Sequence, residues 1–248
     1  MPDTLDNKVA LITGSAKRIG AEIARTLHAA GARIAIHYRG SVDEAEALAA
    51  ELNAERENSA ATFRAALLDT ASLPAVAEGI LDWAGRLDIL VNNASSFYPT
   101  PLGSITEEHW DDLMGSNLKG PLFMSQACLP PLKAARGVIV NIVDIYGQRP
   151  LADHHVYCPA KAGLAMLTRA LAKDLGPEIR VNGVSPGAIL WPSSGMTSEG
   201  KQKILDEVPL ERAGSPADIA GCVLYLVRDA EYVSGQIIAV DGGRSAAW

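Results

Sequence analysis

Tyr157 and Lys161 stand four residues apart, with Cys158, Pro159 and Ala160 between them. On a helix that spacing puts both side chains on one face. A phenol is a poor acid or base near neutrality, because its unperturbed pKa is about 10. A neighbouring ammonium, together with a cationic oxidised nicotinamide, would stabilise the phenolate, so Tyr157 is expected to titrate below that value and to exchange a proton with a substrate. Pro159 suits only the first turn of a helix, where no helical N–H is lost, so the helix should begin near Tyr157. Surface pairs with the same spacing are common. What else converges on this pair therefore decides its meaning.

A second cluster opens the chain. Thr13-Gly14-Ser15-Ala16-Lys17-Arg18-Ile19-Gly20 joins an apolar strand, 9–13, to helical sequence at 18–30. A doubly wound fold receives a dinucleotide pyrophosphate at this turn, on the helix N-terminus. Gly14 is read as the tight turn and Gly20 as the point of close helix packing, with Lys17 and Ile19 between them. Arg18 replaces the middle glycine of the usual three. A solvated arginine is disfavoured at a helix N-terminus, so Arg18 is read as a cation aimed at phosphate.

The end of the second strand points to the form of the dinucleotide. His37-Tyr38-Arg39-Gly40-Ser41 contains no carboxylate, and the first acid is Asp43. An acid here would bind the ribose 2′-hydroxyl of NAD and repel a 2′-phosphate. Arg18, Arg39 and Ser41 would instead hold that phosphate, so NADP(H) is the expected cofactor, with His37 and Tyr38 beside it. Leu68 and Asp69 follow the third strand, where Asp69 is expected to meet the adenine amino group. Asn93, Ala94 and Ser95 follow the fourth, where small residues admit the cofactor backbone. Both segments also read as ordinary turns and caps.

The elements that carry these clusters alternate regularly. Apolar strands are expected at 9–13, 33–37, 62–67, 89–91, 138–142, 179–184 and 236–240. Helices are expected at 18–30, 42–53, 73–84 and 157–174, with further helical sequence between the fourth and fifth strands. Strands that are apolar nearly throughout imply a parallel sheet covered on both faces. The expected fold is α/β: a single Rossmann-type doubly wound domain over 1–248, with about seven mainly parallel strands flanked by helices. Residues 186–201, rich in Gly, Ser and Pro, read as a mobile loop, and 186–207 as the substrate segment. In it Pro186, Gly187 and Ile189 are assigned to cofactor, and Gly187, Leu190 and Trp191 to substrate, with Trp191 read equally as a residue that packs the loop.

Composition narrows the function classes. The chain has 248 residues, 48% hydrophobic, and 22 Lys and Arg against 29 Asp and Glu, for a net charge of −7. Such a surface disfavours nucleic acid. Three widely spaced cysteines form neither a disulfide framework nor a metal cluster and are read as buried reduced thiols. No apolar run approaches the roughly 20 residues of a membrane span. The first residues lack a signal-peptide pattern, so a cytoplasmic location is expected. His154 and His155 lack a ligand-spaced carboxylate beyond Asp153 and are read as loop residues rather than metal ligands.

Taken in order, Thr13-Gly14 through Gly20, Asn92-Asn93-Ala94, Asn117, Tyr157-x-x-x-Lys161, Ser185-Pro186-Gly187 and Val240-Asp241-Gly242-Gly243 resemble the short-chain dehydrogenase/reductase family over nearly the whole chain. The resemblance implies that Tyr157 is the proton donor or acceptor. It implies that Lys161 orients the ribose and lowers the phenol pKa, and that Asn117 holds a relay water. It also implies a homotetramer.

The family carries a serine thirteen residues before the tyrosine, and here that position is Asp144. An ionised carboxylate opposes oxyanion development at a carbonyl, so the substitution suits a substrate with N–H groups or a step needing a second proton source. An aspartate after a strand also serves as a cap. Asp144, Arg18 and the run Asn93 to Pro101 are similar to the pteridine reductase branch, which reduces pterins and dihydropterins, sometimes folates, with NADPH, so dihydrofolate or dihydromonapterin is also an expected substrate. That resemblance implies that Phe97 stacks the pterin, that Asp144 and Tyr157 supply protons, and that Arg18 touches both cofactor and substrate beside Ser95. Two other readings stand: a carbonyl or 3-oxoacyl thioester reductase, and a silent NADP-binding regulator.

Overall fold

In the computed structural model, residues 4–191 and 197–246 are described. Along β1 (Val9–Ile12) successive side chains enter opposite cores: Ala10 and Ile12 join one, Val9 and Leu11 the other. The same alternation runs through β2 (Arg33–Tyr38), β4 (Ile89–Asn92) and β5 (Val138–Ile142). This is why these strands read as continuous apolar runs: both faces of the sheet are buried. With β3 (Ala60–Arg64), β6 (Arg180–Pro186) and β7 (Ile237–Val240), they form a seven-stranded sheet ordered β3-β2-β1-β4-β5-β6-β7. Every strand pairing in it is parallel.

Helices cover the two faces. On one, α1 (Arg18–Ala29) and α2 (Val42–Glu55) contribute Ile23, Leu27, Leu48 and Leu52. On the other, α3 (Leu73–Ala84) contributes Val76 and Ile80. Between β4 and β5 lie α4 (Glu107–Met114), a π-helical turn Gly115–Lys119, α5 (Gly120–Ala127) and α6 (Leu129–Ala135). A 3₁₀ turn, Ile145–Gly147, leads from β5 towards α7 (Tyr157–Leu175), which begins at Tyr157 as Pro159 requires. The remaining helices are α8 (Ser198–Leu205) and α9 (Pro216–Arg228).

Two boundaries differ from those expected. The third strand occupies Ala60–Arg64 rather than 62–67, because its register pairs Ile34 with Ala60 and Tyr38 with Arg64. Residues 65–69 thereby become a turn, with the Asp69 N–H donating to the Ala66 carbonyl. The segment 186–207 is not loop throughout. Thr197 accepts from the Gly200 N–H and caps α8, so its second half is helical. Part of it, residues 192–196, lies outside the described residues. Among the cysteines, Cys128 and Cys158 are buried, but Cys222 is only partly so.

The strand order reverses between β1 and β4, so the loops after these strands diverge and leave a crevice at the carboxyl edge of the sheet. A buried polar chain sets α7 against that crevice. Asn92 Nδ2 donates to Asn141 Oδ1 at 2.8 Å, and Asn141 Nδ2 donates to Thr168 Oγ1 at 2.9 Å. These bonds tie β4 and β5 to α7 and fix the rotation of the helix that carries Tyr157 and Lys161.

Candidate active site

A cleft of about 910 Å³ follows the carboxyl edge from Lys17 and Arg39 at one end to Trp191 and Arg244 at the other. At its centre the Tyr157 hydroxyl donates to Asp144 Oδ2 at 2.7 Å. The other Asp144 oxygen accepts from the Tyr146 N–H at 2.9 Å, so the residue caps the 3₁₀ turn and faces the phenol at once. The turn lies close on α7: a Cβ on Gly147 would meet the Lys161 carbonyl carbon at 3.0 Å. A larger residue there would push the Asp144 turn and the helix apart by a few tenths of an ångström.

Burial dominates the electrostatics of this centre. Desolvation raises the Asp144 carboxyl, against the opposing effects of the Tyr146 N–H, the Tyr157 hydroxyl, Lys161 and Arg244. Tyr157 is pushed well above its ordinary value by burial and then by the adjoining Asp144 carboxylate, while Ser95 works the other way. Lys161 alone therefore does not lower the phenol. The ammonium donates to the Ile142 carbonyl at 2.9 Å and lies 5.7 Å from the phenol ring centre, whereas Asp144 touches the hydroxyl itself. Lys161 is itself fully buried, and desolvation brings it down to about 8. The arrangement holds two adjacent acids in their protonated forms further up the pH scale than either would be in water.

Phe97 stands over this centre with 48% of its surface exposed. Its ring is stacked on His154 at 4.8 Å and 18°, and meets Tyr157 edge-on at 4.8 Å. His154 Nδ1 lies 2.7 Å from the Ala152 carbonyl, which fixes the imidazole as a backing for Phe97. Its place in the sequence, in a loop beside Asp153, carried no sign of that use.

At the other end, Gly14 turns with φ of +62°, and a Cβ on it would meet the Ala94 Cα at 2.9 Å. Asn93 holds this turn, its Nδ2 donating to the Thr13 and Gly14 carbonyls at 2.9 and 3.1 Å. The Gly14 N–H donates to His37 Nδ1 at 3.2 Å. The imidazole proton must then sit on Nε2, which is buried without a partner. Burial takes His37 down to about 4, so the ring is neutral. Arg18 adopts φ of +56°, a left-handed conformation that glycine would enter freely and arginine enters at about 1–2 kcal/mol.

Several features suit this end to a dinucleotide. No side chain caps α1 and no acid occupies its first turn, so its amides remain available to a phosphate. Ser41 stands at the N-cap of α2 without capping it. The buried Lys161 ammonium has three N–H groups, and Ile142 takes one of them. Sugar hydroxyls would satisfy the others.

The cleft wall includes Gly14, Lys17, Arg18, Ile19 and Gly20 from the first turn, and His37, Tyr38, Arg39 and Ser41 from the second strand end. Leu68, Asn93, Ala94, Ser95 and Phe97 continue it, followed by Asp144, Tyr157 and Lys161. Pro186, Gly187, Ile189, Leu190 and Trp191 complete the expected set. Two expected residues stand apart from that wall. Asp69 is exposed in the turn created by the early end of β3, and Leu67 and Leu68 form the wall there. Asn117 is buried in the π-helical turn, where Nδ2 donates to the Ser96 and Leu113 carbonyls and Oδ1 accepts from Ser95 Oγ at 2.7 Å. It anchors the Ser95–Ser96 segment. Lys17, expected at the phosphates, is ion-paired to Glu44 of α2.

The family model described as enoyl-(acyl carrier protein) reductase matches residues 14–245. Pteridine reductase 1 of Leishmania tarentolae is 38% identical over 278 aligned residues, covering 96% of each chain. The 3-oxoacyl-[acyl-carrier-protein] reductase FabG of Staphylococcus aureus is 35% identical over 240, covering 95% of this chain and 97% of the relative. The chain belongs to the short-chain dehydrogenase/reductase family. Its activity is that of an oxidoreductase, and this family works with nicotinamide dinucleotides. Among the described residues no helix is long and apolar enough to cross a membrane.

Tyr146 and Arg244 also line the cleft of this short-chain reductase, and neither stood out in the sequence. Tyr146 follows Asp144 in the 3₁₀ turn. Arg244 comes from beyond β7, immediately after Gly242-Gly243, and no local pattern links that position to a strand end a hundred residues earlier.

Proposed function

We propose that this chain reduces a pterin or dihydropterin with NADPH, as a cytoplasmic enzyme acting on a small molecule. The observation that carries the reading is the buried Asp144 carboxyl against the Tyr157 hydroxyl, where the family has a serine. When bound, the cofactor supplies a hydride to a carbon of the substrate's C=N bond. The protein's part is to hold the ring and to protonate its nitrogen. Phe97, braced by His154, offers the stacking face. Tyr157 keeps its proton at neutral pH, and Asp144, raised by burial, stands behind it as a second source. Lys161 offers its remaining N–H groups to the ribose, and Asn117 steadies Ser95 beside the phenol.

A carbonyl reductase is the second reading, favoured by the 35% identity to a 3-oxoacyl thioester reductase. Carbonyl reduction needs one proton, which Tyr157 alone can supply, so a second buried acid at Asp144 has no use there. NADPH oxidation measured with a dihydropterin and with an acetoacetyl thioester separates the two. A silent NADP-binding regulator would turn over neither.

Arg39 and Ser41 support NADPH over NADH. Arg39 is 69% exposed and lies 4.0 Å from Asp112, a weak pairing that a phosphate would displace. A charge-assisted bond is worth roughly 1.5–3 kcal/mol, so NADPH should be preferred by more than about tenfold. Arg39→Ala should remove most of that preference, as measured by kcat/KM for the two cofactors. An unchanged ratio would take Arg39 out of the site.

The strained Arg18 gives a second test. Arg18→Gly removes about 1–2 kcal/mol of left-handed strain and adds about 0.4–1 kcal/mol of unfolded-chain entropy. The variant should melt at the same temperature or a few degrees higher, yet lose kcat/KM for both cofactor and substrate. Full activity with higher stability would show that the arginine is not held there for function.

A further inference from the structure

The cleft's substrate end holds a cation that the proposed chemistry does not use. Arg244 lines the cleft, and its charge is felt at Asp144. The residue is built into position. Asp241 accepts from the Gly243 N–H at 2.9 Å and from the Ser245 N–H at 2.7 Å, one bond on either side of Arg244. Gly242 and Gly243 turn with φ of +66° and +87°, which directs the next side chain back over the sheet edge. Arg149 Nη1 donates to the Arg244 carbonyl at 3.3 Å and holds the same segment.

The guanidinium is 13% exposed and sits over Tyr146, with Cζ 5.6 Å from the ring centre and Nη1 donating to the hydroxyl at 3.1 Å. Its charge partner is Glu207, just past the end of α8, which accepts from Nε at 3.1 Å and Nη2 at 2.7 Å. That carboxylate is 58% exposed, so the pair joins a covered, preorganised cation to an anion that water already solvates. Three of the five guanidinium N–H groups are used here, and the two given to the exposed Glu207 carboxylate can pass to another anion. The guanidinium's planar fork matches a carboxylate or a phosphate.

We propose that Arg244, with the Tyr146 hydroxyl, forms a subsite for an anionic group carried by the substrate, a carboxylate or a phosphate. Glu207 occupies the fork until such a group replaces it. The subsite rests on the reading that this cleft holds the substrate, and not on which bond is reduced.

The test compares substrates with one reducible ring and different tails: dihydrobiopterin without an anion, dihydrofolate with carboxylates, and dihydroneopterin monophosphate with a phosphate. Arg244→Ala should lower the ratio of kcat/KM for an anionic over the neutral substrate at least tenfold, chiefly through KM. The substrate whose ratio falls further identifies the tail. Glu207→Gln, which removes the competing anion, should raise the same ratio, and it decides the matter should Arg244→Ala fail to fold. Ratios that stay constant in both variants would overturn the subsite. If the wild type reduces no pterin, the pterin reading fails. The same ratio is then taken between acetoacetyl coenzyme A and the neutral acetoacetyl N-acetylcysteamine thioester, and a constant ratio, or no turnover of either, overturns the subsite there.

Discussion

Tyr157→Phe is expected to lower turnover by about 10²–10⁴-fold while NADPH affinity stays within a few-fold of wild type. The substitution deletes one hydroxyl and keeps the ring, so the edge contact with Phe97 survives. What disappears is a proton donor 2.7 Å from Asp144 Oδ2. Because burial and Asp144 hold the phenol well above its ordinary value, the tyrosine is a donor throughout the neutral range. The loss should therefore appear in kcat and not in cofactor binding. Steady-state rates and a fluorescence titration of NADPH measure the two separately. Near-normal turnover would remove Tyr157 from the chemistry.

Asp144→Ser should impair dihydropterin reduction at least tenfold, and reduction of the fully oxidised ring more severely, since that substrate must gain more protons. A serine can still accept from the Tyr146 N–H, so the 3₁₀ turn should persist. Asp144→Asn keeps the shape and cannot deliver a proton. The pH profile provides an independent check. Burial raises the folded-state pKa of Asp144, and the proposed role needs its protonated form as donor. The wild-type rate should therefore be highest on the acid side and fall as pH rises through that raised value. In Asp144→Asn this limb should disappear. A rate that instead climbs with pH would assign Asp144 to the role of a base.

Much of this site was legible in the sequence because its residues sit at strand ends, where local pattern and function coincide. The apolar run at Val9–Ile12, the glycine turn after it and the proline-marked start of α7 each follow from local rules, and together they placed the cleft. Asp144 was found because a single departure stood against an otherwise matching set. The misses came from contacts between distant segments. Asp69 fell outside the wall because β3 ends at Arg64, and register with β2, not apolar content, sets that end. In the protein alone the Tyr157 phenol shifts upward, because burial, which no local pattern reports, outweighs the nearby ammonium. The anchoring of Ser95–Ser96 by Asn117, beside its expected relay role, runs through a π-helical turn that no spacing rule announces. Arg244 and the His154 support of Phe97 join loops that only the folded chain brings together.

Asp144 is proposed to direct this short-chain reductase to C=N bonds rather than to carbonyls. The most direct test is the ratio of kcat/KM for a dihydropterin to that for an acetoacetyl thioester, taken with NADPH for wild type and Asp144→Ser. The ratio should favour the dihydropterin in wild type and swing at least tenfold towards the thioester in the variant. A wild type that prefers the thioester, or an Asp144→Ser enzyme that reduces dihydropterin as well as wild type does, would contradict it.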